Sequence, residues 1–321
     1  MTNIKGNSNQ KTIVVVGSIN CDQTAYLERF PKINQTIFAK SSTLSLGGKG
    51  LNQAIAAAKL GGNVSMISCI GNDVFGEMAT AHLHRNKINH EHIRVTDKVG
   101  TGSATIYVTN EGENMIAVTP GANAELSPKN IEENCNLIAG ADVLIVQLEV
   151  PIETVKAAMH VAVEANITTI LNPAPTSENI TDLIKLSTVI TPNETEVEDL
   201  VGIYPENEER AALAALKLKE LGARVIIITM GEEGYYISSE KLEKLVPSFP
   251  VNVIDPTGAG DVFNGALAAA LTKKLDVEQS AQFASAAAAL SVTQRTAQDS
   301  APTWDQTNEF LHSNNIELIK C

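Results

Sequence analysis

A chain of 321 residues with 44% apolar and 19% charged side chains can bury a sizeable core, which excludes wholesale disorder. Its formal charge of −13 argues against nucleic acid or an anionic membrane as the main partner, because both need clustered Lys and Arg. The apolar runs fall far short of a membrane span, and MTNIKGNSNQ lacks the apolar core of a signal peptide, so the expected location is the cytoplasm. Cys21, Cys69, Cys135 and Cys321, far apart and without a CxxC pair, fit a reducing compartment.

The β-branched run Thr12–Val16 predicts a buried first strand, with Asn20 and Asp22 of SINCD at its carboxyl end. Ligands of open α/β sheets collect outside such ends. A separation of two places both side chains on one face if the strand persists; an Asx-rich turn is the plainer alternative. Gly47, Gly48 and Gly50 then lead into an Ala-rich helix ending near Gly61, with Asn52 in its first turn. GGKGLN matches neither GxxxxGK[ST] nor GxGxxG. It reads as a Gly-rich approach to a helix start suited to a polar ligand, or as no more than a tight turn.

Residues 64–70 predict another strand, and GNDVFGEMATAHLHRN a turn and helix. His82, His84, His90 and His92 match no strong zinc spacing and read as a solvated face. Alternation on both sides of NEGEN predicts an antiparallel hairpin. Together with the helix-poor stretch 25–45 it forms a small sheet projecting from the main body, able to cover a site or to pair with a second subunit.

From position 130 strands and helices alternate regularly, the pattern of a doubly wound, mostly parallel α/β sheet flanked by helices. The strands end in polar or turn groups that should line one crevice: Glu149, Asn172, Asn193 with Glu196, and Thr229 with Gly231. Asn193 and Glu196 lie three apart at a helix start, able to share a ligand such as Mg²⁺ held partly through water, or to cap the helix.

VNVIDPTGAGDVFNGALAAAL is the stretch around which the chain is organised. An Asp-Pro turn and the Gly258-Ala259-Gly260 loop open an apolar helix, and unpaired N–H groups at a helix start receive phosphate well. Asp261 then has two readings, as a cap or as the group that takes a proton from an acceptor hydroxyl. An Ala-rich helix running into a loop and a weakly amphipathic tail complete the chain.

SINCD, GGKGLNQA, QLEVP, NPAP, TPNETE, TMGEEG and DPTGAGDVFNGAL, in this order over roughly residues 12–310, resemble the ribokinase/PfkB carbohydrate kinases. The resemblance implies a single ribokinase-like domain over 1–321, with a small β-sheet lid formed by approximately 22–46 and 102–120. It implies ATP-dependent phosphorylation of D-ribose at its 5-hydroxyl. Asn20, Asp22, Gly48, Lys49, Asn52 and Glu149 would contact the sugar, Asp261 would be the general base, and Gly258, Ala259 and Gly260 would form an anion hole. Asn193 and Glu196 would help place Mg²⁺ and phosphate, while Thr229, Gly231 and Ser285 would border the nucleotide. A K⁺ site would draw on Asp255, Thr257, Ser291, Gln294, Thr296 and Ser300, with Thr296 where the family commonly has glycine and Ser285 where a larger His or Asn is frequent. The lid implies a homodimer. Alternatives are a kinase for deoxyribose, another sugar or a nucleoside, or a non-catalytic sugar-binding regulator. An NAD-dependent oxidoreductase is weaker, since Gly17 opens no GxGxxG fingerprint.

Overall fold

A computed structural model describes residues 11–177, 179–294 and 300–318; Thr296 and Cys321 lie outside them. The chain begins with β1 (Thr12–Val16), β2 (Asn20–Tyr26), β3 (Ser41–Gly47), α1 (Lys49–Lys59), β4 (Asn63–Gly71), α2 (Val74–Arg85) and β5 (Ile93–Thr96). The hairpin β6 (Gly102–Val108) and β7 (Asn114–Thr119) precedes α3 (Pro128–Glu133) and α4 (Cys135–Ala139). Then come β8 (Val143–Val146), α5 (Ile152–Glu164), β9 (Thr168–Leu171), α6 (Thr181–Leu186), β10 (Val189–Ile190), α7 (Glu194–Val201) and α8 (Glu208–Glu220). The last strands are β11 (Val225–Thr229), β12 (Tyr235–Ser238) and β13 (Glu243–Val246), followed by α9 (Ala259–Thr272), α10 (Val277–Ser291) and α11 (Trp304–Ser313).

The large sheet has the order β13-β12-β11-β10-β9-β8-β1-β4-β5. It is parallel from β11 to β5, and β12 and β13 add an antiparallel edge. Successive residues of β1 enter opposite cores, as a period of two requires. Ile13 and Val15 pack with α1, α9 and α10, whereas Val14 and Val16 pack with α5, α6 and α8. From β1 the chain moves outward to β4 and β5 on one side and returns at β8 on the other. The carboxyl ends of β1 and β8 therefore flank a switch point, where such sheets open a crevice.

The expected small sheet is present, in the order β3-β2-β6-β7. Its outer pairs are antiparallel, and β2 runs parallel to β6. One expectation is corrected: Asn20 and Asp22 do not end the first strand. The chain leaves β1 at Val16, and Asn20 opens β2 of the second sheet. The break is held by Asn123, which accepts from the Ile19 N–H (2.9 Å) and donates to the Ile19 carbonyl (3.1 Å). Both side chains nevertheless share a face, because β2 is itself extended. Strand β7 is exposed along its whole length and presents Met115, Ile116 and Val118 to solvent.

Helices α1 and α9 pack closely because small residues face each other. A Cβ at Gly265 would stand 2.6 Å from the Ala56 side chain and 2.7 Å from the Gln53 carbonyl. At the far end, Trp304 of α11 stacks on Phe283 of α10 with ring centroids 4.2 Å apart. Among the described residues no helix is long and apolar enough to cross a membrane.

Candidate active site

The start of α9 separates two environments. Gly258 occupies the N-cap with φ +79, a left-handed conformation that suits glycine, and offers no side-chain acceptor. Among the described residues the N–H groups of Gly258 and Gly260 have no acceptor, whereas the Ala259 N–H leans on the Pro256 carbonyl at 3.2 Å. A Cβ at Gly260 would meet nothing within 4 Å, so a ligand can approach that backbone closely. Two free donors at the positive end of a helix make an anion site, and an incoming phosphate would recruit Ala259 by displacing its long bond.

Asp261, the third residue of this helix, is not its cap. Its Oδ2 accepts from Asn52 Nδ2 and its Oδ1 from Gln53 Nε2, each at 2.9 Å. Both donors are consecutive residues near the start of α1, which the small residues at Gly265 let approach α9 closely. Burial pushes the Asp261 carboxyl above its usual range, opposed by the charge of Lys49 and by the two amide donors. A buried carboxylate held in this way has the geometry a directed proton acceptor needs.

Around it the expected sugar-side residues converge. The Lys49 N–H donates to Glu149 Oε2 at 2.9 Å, and the Ser18 hydroxyl donates to the same oxygen. Burial and then the neighbouring Glu149 raise Asp22 from 3.8 to about 6, leaving it mostly ionised at neutral pH. A Cβ at Gly47 would overlap the Asp22 carboxylate, so only glycine leaves that side chain its place. Asn20 accepts from Asn123 Nδ2 at 2.8 Å, which leaves its own NH₂ as the end available to a ligand. Among the described residues Asn52 Oδ1 is buried without a partner, an acceptor that a ligand hydroxyl could satisfy. The crevice thus offers donors and acceptors side by side, as a polyol requires.

Four polar residues of this region were not picked out from sequence: Ser18, Asn123, Gln53 and Gln147, exposed by 0%, 1%, 0% and 0%. Gln53 and Gln147 stand inside GGKGLNQA and QLEVP, so the motifs held them without indicating their partners. Asn123 had no signal beyond its place after the hairpin, because its contacts are with Ile19 and Asn20.

On the other side of α9 a cavity of about 680 Å³ is lined by Asn193, Thr229, Gly231, Gly260 and Ser285, all expected from sequence. Phe249, Val251, Ala288, Ala289 and Val292 give it apolar walls suited to a flat heterocycle. Asn193 and Glu196 form a reciprocal capping box, with the Asn193 N–H donating to Glu196 Oε2 and the Glu196 N–H to Asn193 Oδ1, both at 2.9 Å. The second Glu196 oxygen accepts from Asn193 Nδ2 at 3.0 Å. Glu196 is raised by burial and lowered by the Asn193 contact and by Lys49. With both oxygens engaged it fits a metal through water better than directly, and among the described residues no three His, Cys, Asp or Glu form a cage.

Beneath the loop, the Ile254 and Asp255 N–H groups donate to the Val292 carbonyl at 2.7 and 3.1 Å, bringing Asp255 to the end of α10 and Ser291. Asp255 Oδ1 accepts from the Thr257 N–H, and Ser291 Oγ donates to the Ala288 carbonyl, so both oxygens retain lone pairs for a cation. Gln294 and Ser300 line a neighbouring cavity, and Thr296 is outside the described residues.

This fold, with a polar crevice and an anion-receiving helix start at one switch point, defines a class of α/β phosphotransferase. A structure of Arabidopsis thaliana ribokinase complexed with ribose and ATP superposes with a TM-score of 0.90 at 28% identity, covering 94% of this chain and 99% of that one. A ribokinase from Haemophilus influenzae is 38% identical over 94% of this chain and 99% of its own length. A deoxyribokinase from Salmonella typhi is 35% identical over 94% and 99%. The pfkB family carbohydrate kinase model matches residues 10–304. The chain belongs to the PfkB family of carbohydrate kinases.

Proposed function

We propose that this protein transfers the γ-phosphoryl group of ATP to the 5-hydroxyl of D-ribose, giving D-ribose 5-phosphate and ADP. The observation that carries the reading is the start of α9, where Gly260, its N–H without an acceptor among the described residues, lines the cavity while Asp261, one residue on, is bonded to Asn52 and Gln53 of α1. A sugar lying on Asn20, Asp22, Gly48, Lys49, Asn52 and Glu149 is held with one hydroxyl toward Asp261, in line with a phosphate seated on Gly258, Ala259 and Gly260. Asp261 accepts the hydroxyl proton as the oxygen–phosphorus bond forms and the bond to ADP breaks. Alignment and neutralisation of charge are most of what such a transfer needs. Mg²⁺, when bound with ATP, neutralises phosphate oxygens. Glu196 would hold it through water, Asn193 would meet the phosphates, and Thr229, Gly231 and Ser285 would border the nucleoside. Asp255, Thr257, Ser291, Gln294, Thr296 and Ser300 would hold K⁺ beneath the loop.

The second sheet acts as a lid that excludes water, and its exposed apolar strand β7 supports pairing of two lids in a homodimer. A monomeric mass across micromolar concentrations would refute the dimer. The composition and the well-separated cysteines support a cytoplasmic location.

A second reading, a kinase for 2-deoxyribose, is favoured by the similarity to the Salmonella relative. Asn20 as donor beside Asp22 as acceptor argues for adjacent ring hydroxyls, since a missing hydroxyl leaves buried groups unpaired. ATP consumption against ribose, 2-deoxyribose, hexoses and nucleosides, with the phosphate position read by NMR, decides between them. A preference for deoxyribose would overturn the ribose assignment. Activity titrated with K⁺ against Na⁺ tests the cation site, and indifference to both would remove it.

A further inference from the structure

Beneath Asp261 lies a chain of buried side-chain amides, among them Asn172 from the end of β9. Gln53 Nε2 donates to Asp261 Oδ1 at 2.9 Å and to Asn172 Oδ1 at 3.1 Å. Gln53 Oε1 accepts from Gln147 Nε2 at 2.6 Å, and Asn172 Nδ2 donates to the Thr191 carbonyl at 3.2 Å. The two ends of an amide are chemically distinct. Asn172, its NH₂ held by the Thr191 carbonyl, turns its oxygen inward, and Gln147, whose own Oε1 has no partner among the described residues, donates to the Gln53 oxygen, so Gln53 presents its NH₂ to Asp261. Reversed, it would set a carbonyl against a carboxylate and an NH₂ against an NH₂.

We infer that Gln53, locked by Gln147 and Asn172, is a positioning residue for phosphoryl transfer, fixing the Asp261 carboxylate so that its remaining lone pairs face the sugar hydroxyl. The inference rests on Asp261 being the proton acceptor. Asn52, the other donor to Asp261, lines the crevice and must also answer to the sugar. Gln53 is fully buried, so its contact persists whether or not substrate is bound. The charged groups facing Asp261 pull in opposite directions: Lys49 on α1 favours the carboxylate, while Glu149 after β8 and Glu196 on α7 oppose it. A neutral donor that cannot leave keeps the base ionised within that balance.

The test replaces Gln53→Met, which keeps the volume and removes the donor, and Gln147→Met, which frees the Gln53 oxygen to swing. The Asp261 carboxyl is titrated by ¹³C NMR in the full-length free protein, assigned by comparison with Asp261→Asn, and kcat and KM for ribose are measured across pH. Gln53→Met should move the Asp261 midpoint upward by on the order of one pH unit. The acid limb of kcat should move with it, and KM should stay within about threefold. Gln147→Met should move it in the same direction by less. Midpoints unchanged in both variants overturn the inference, as does a fall in activity with no movement of the acid limb, which a packing role alone produces. If Gln53→Met does not fold, an unmoved midpoint in Gln147→Met overturns it. The titration needs no substrate, so failure of ribose phosphorylation is read separately from failure of this inference.

Discussion

Helices α7 and α9 begin alike and end up with opposite chemistry. Each carries an acidic side chain three residues after its N-cap: Glu196 after Asn193, and Asp261 after Gly258. In α7 the cap is an asparagine, and the carboxylate folds back onto it in a reciprocal box that satisfies helix donors. In α9 the cap is a glycine with nothing to offer, so the helix donors stay open and the carboxylate is taken up by Asn52 and Gln53 of a different helix. One change of cap residue divides a self-contained helix start from one that can receive phosphate and position a base.

The largest way to break this comparison is to neutralise the second carboxylate. Asp261→Asn should lower turnover by a factor on the order of a hundred or more while ribose affinity stays within about tenfold. Near-normal turnover, measured beside ribose binding by calorimetry, would return Asp261 to a structural role. Next comes the contact that delivers the amides. Gly265→Val should force α1 from α9, costing about 1–3 kcal/mol in denaturant unfolding and lowering turnover roughly tenfold. A stable variant with full activity would show that the approach of the helices does not set the base.

At α7 the effect should be one of stability. Asn193→Ala removes the box and should cost about 1 kcal/mol in thermal unfolding. An unchanged transition would deny that Glu196 is engaged as a cap. The smallest effect concerns Asp22, whose carboxyl is raised from 3.8 to about 6 by burial and by Glu149. A carboxyl raised on folding costs stability above its folded value and nothing below its unfolded one. Asp22→Asn should therefore raise Tm by roughly 2 °C at pH 8, an advantage that fades as pH falls through about 6 and is gone near 3.8. In the parent protein ribose affinity should weaken as pH falls through the same upper value, measured by calorimetry. A flat response would place Asp22 away from the sugar.

Much of the fold was legible because its signals are local. TIVVV and VIIIT read as buried strands through β-branching alone, and NEGEN between alternating flanks could hardly be other than a hairpin. Motif order names Asn193, Thr229, Gly231, Gly260 and Ser285 together, and the fold lines one cavity with them. What escaped was short or non-local. β5 is a four-residue edge strand with only Thr96 buried, too brief and too exposed to show a pattern. SINCD alone reads as the end of β1, because nothing near it reveals that Asn123, about a hundred positions later, holds the chain where it turns into a second sheet.

Composition, periodicity and the glycines at helix starts determined by themselves a doubly wound α/β protein with polar groups at its strand ends and an anion site opening α9. They left Asp261 divided between cap and base, since a helix start places a carboxylate in the same way for either purpose. Only tertiary packing takes the carboxylate away from the cap, because the partners of Asp261 lie 208 and 209 residues away on a helix that Gly265 lets come close. A hydrogen bond between distant segments has no periodicity to read; it exists only once two helices have met.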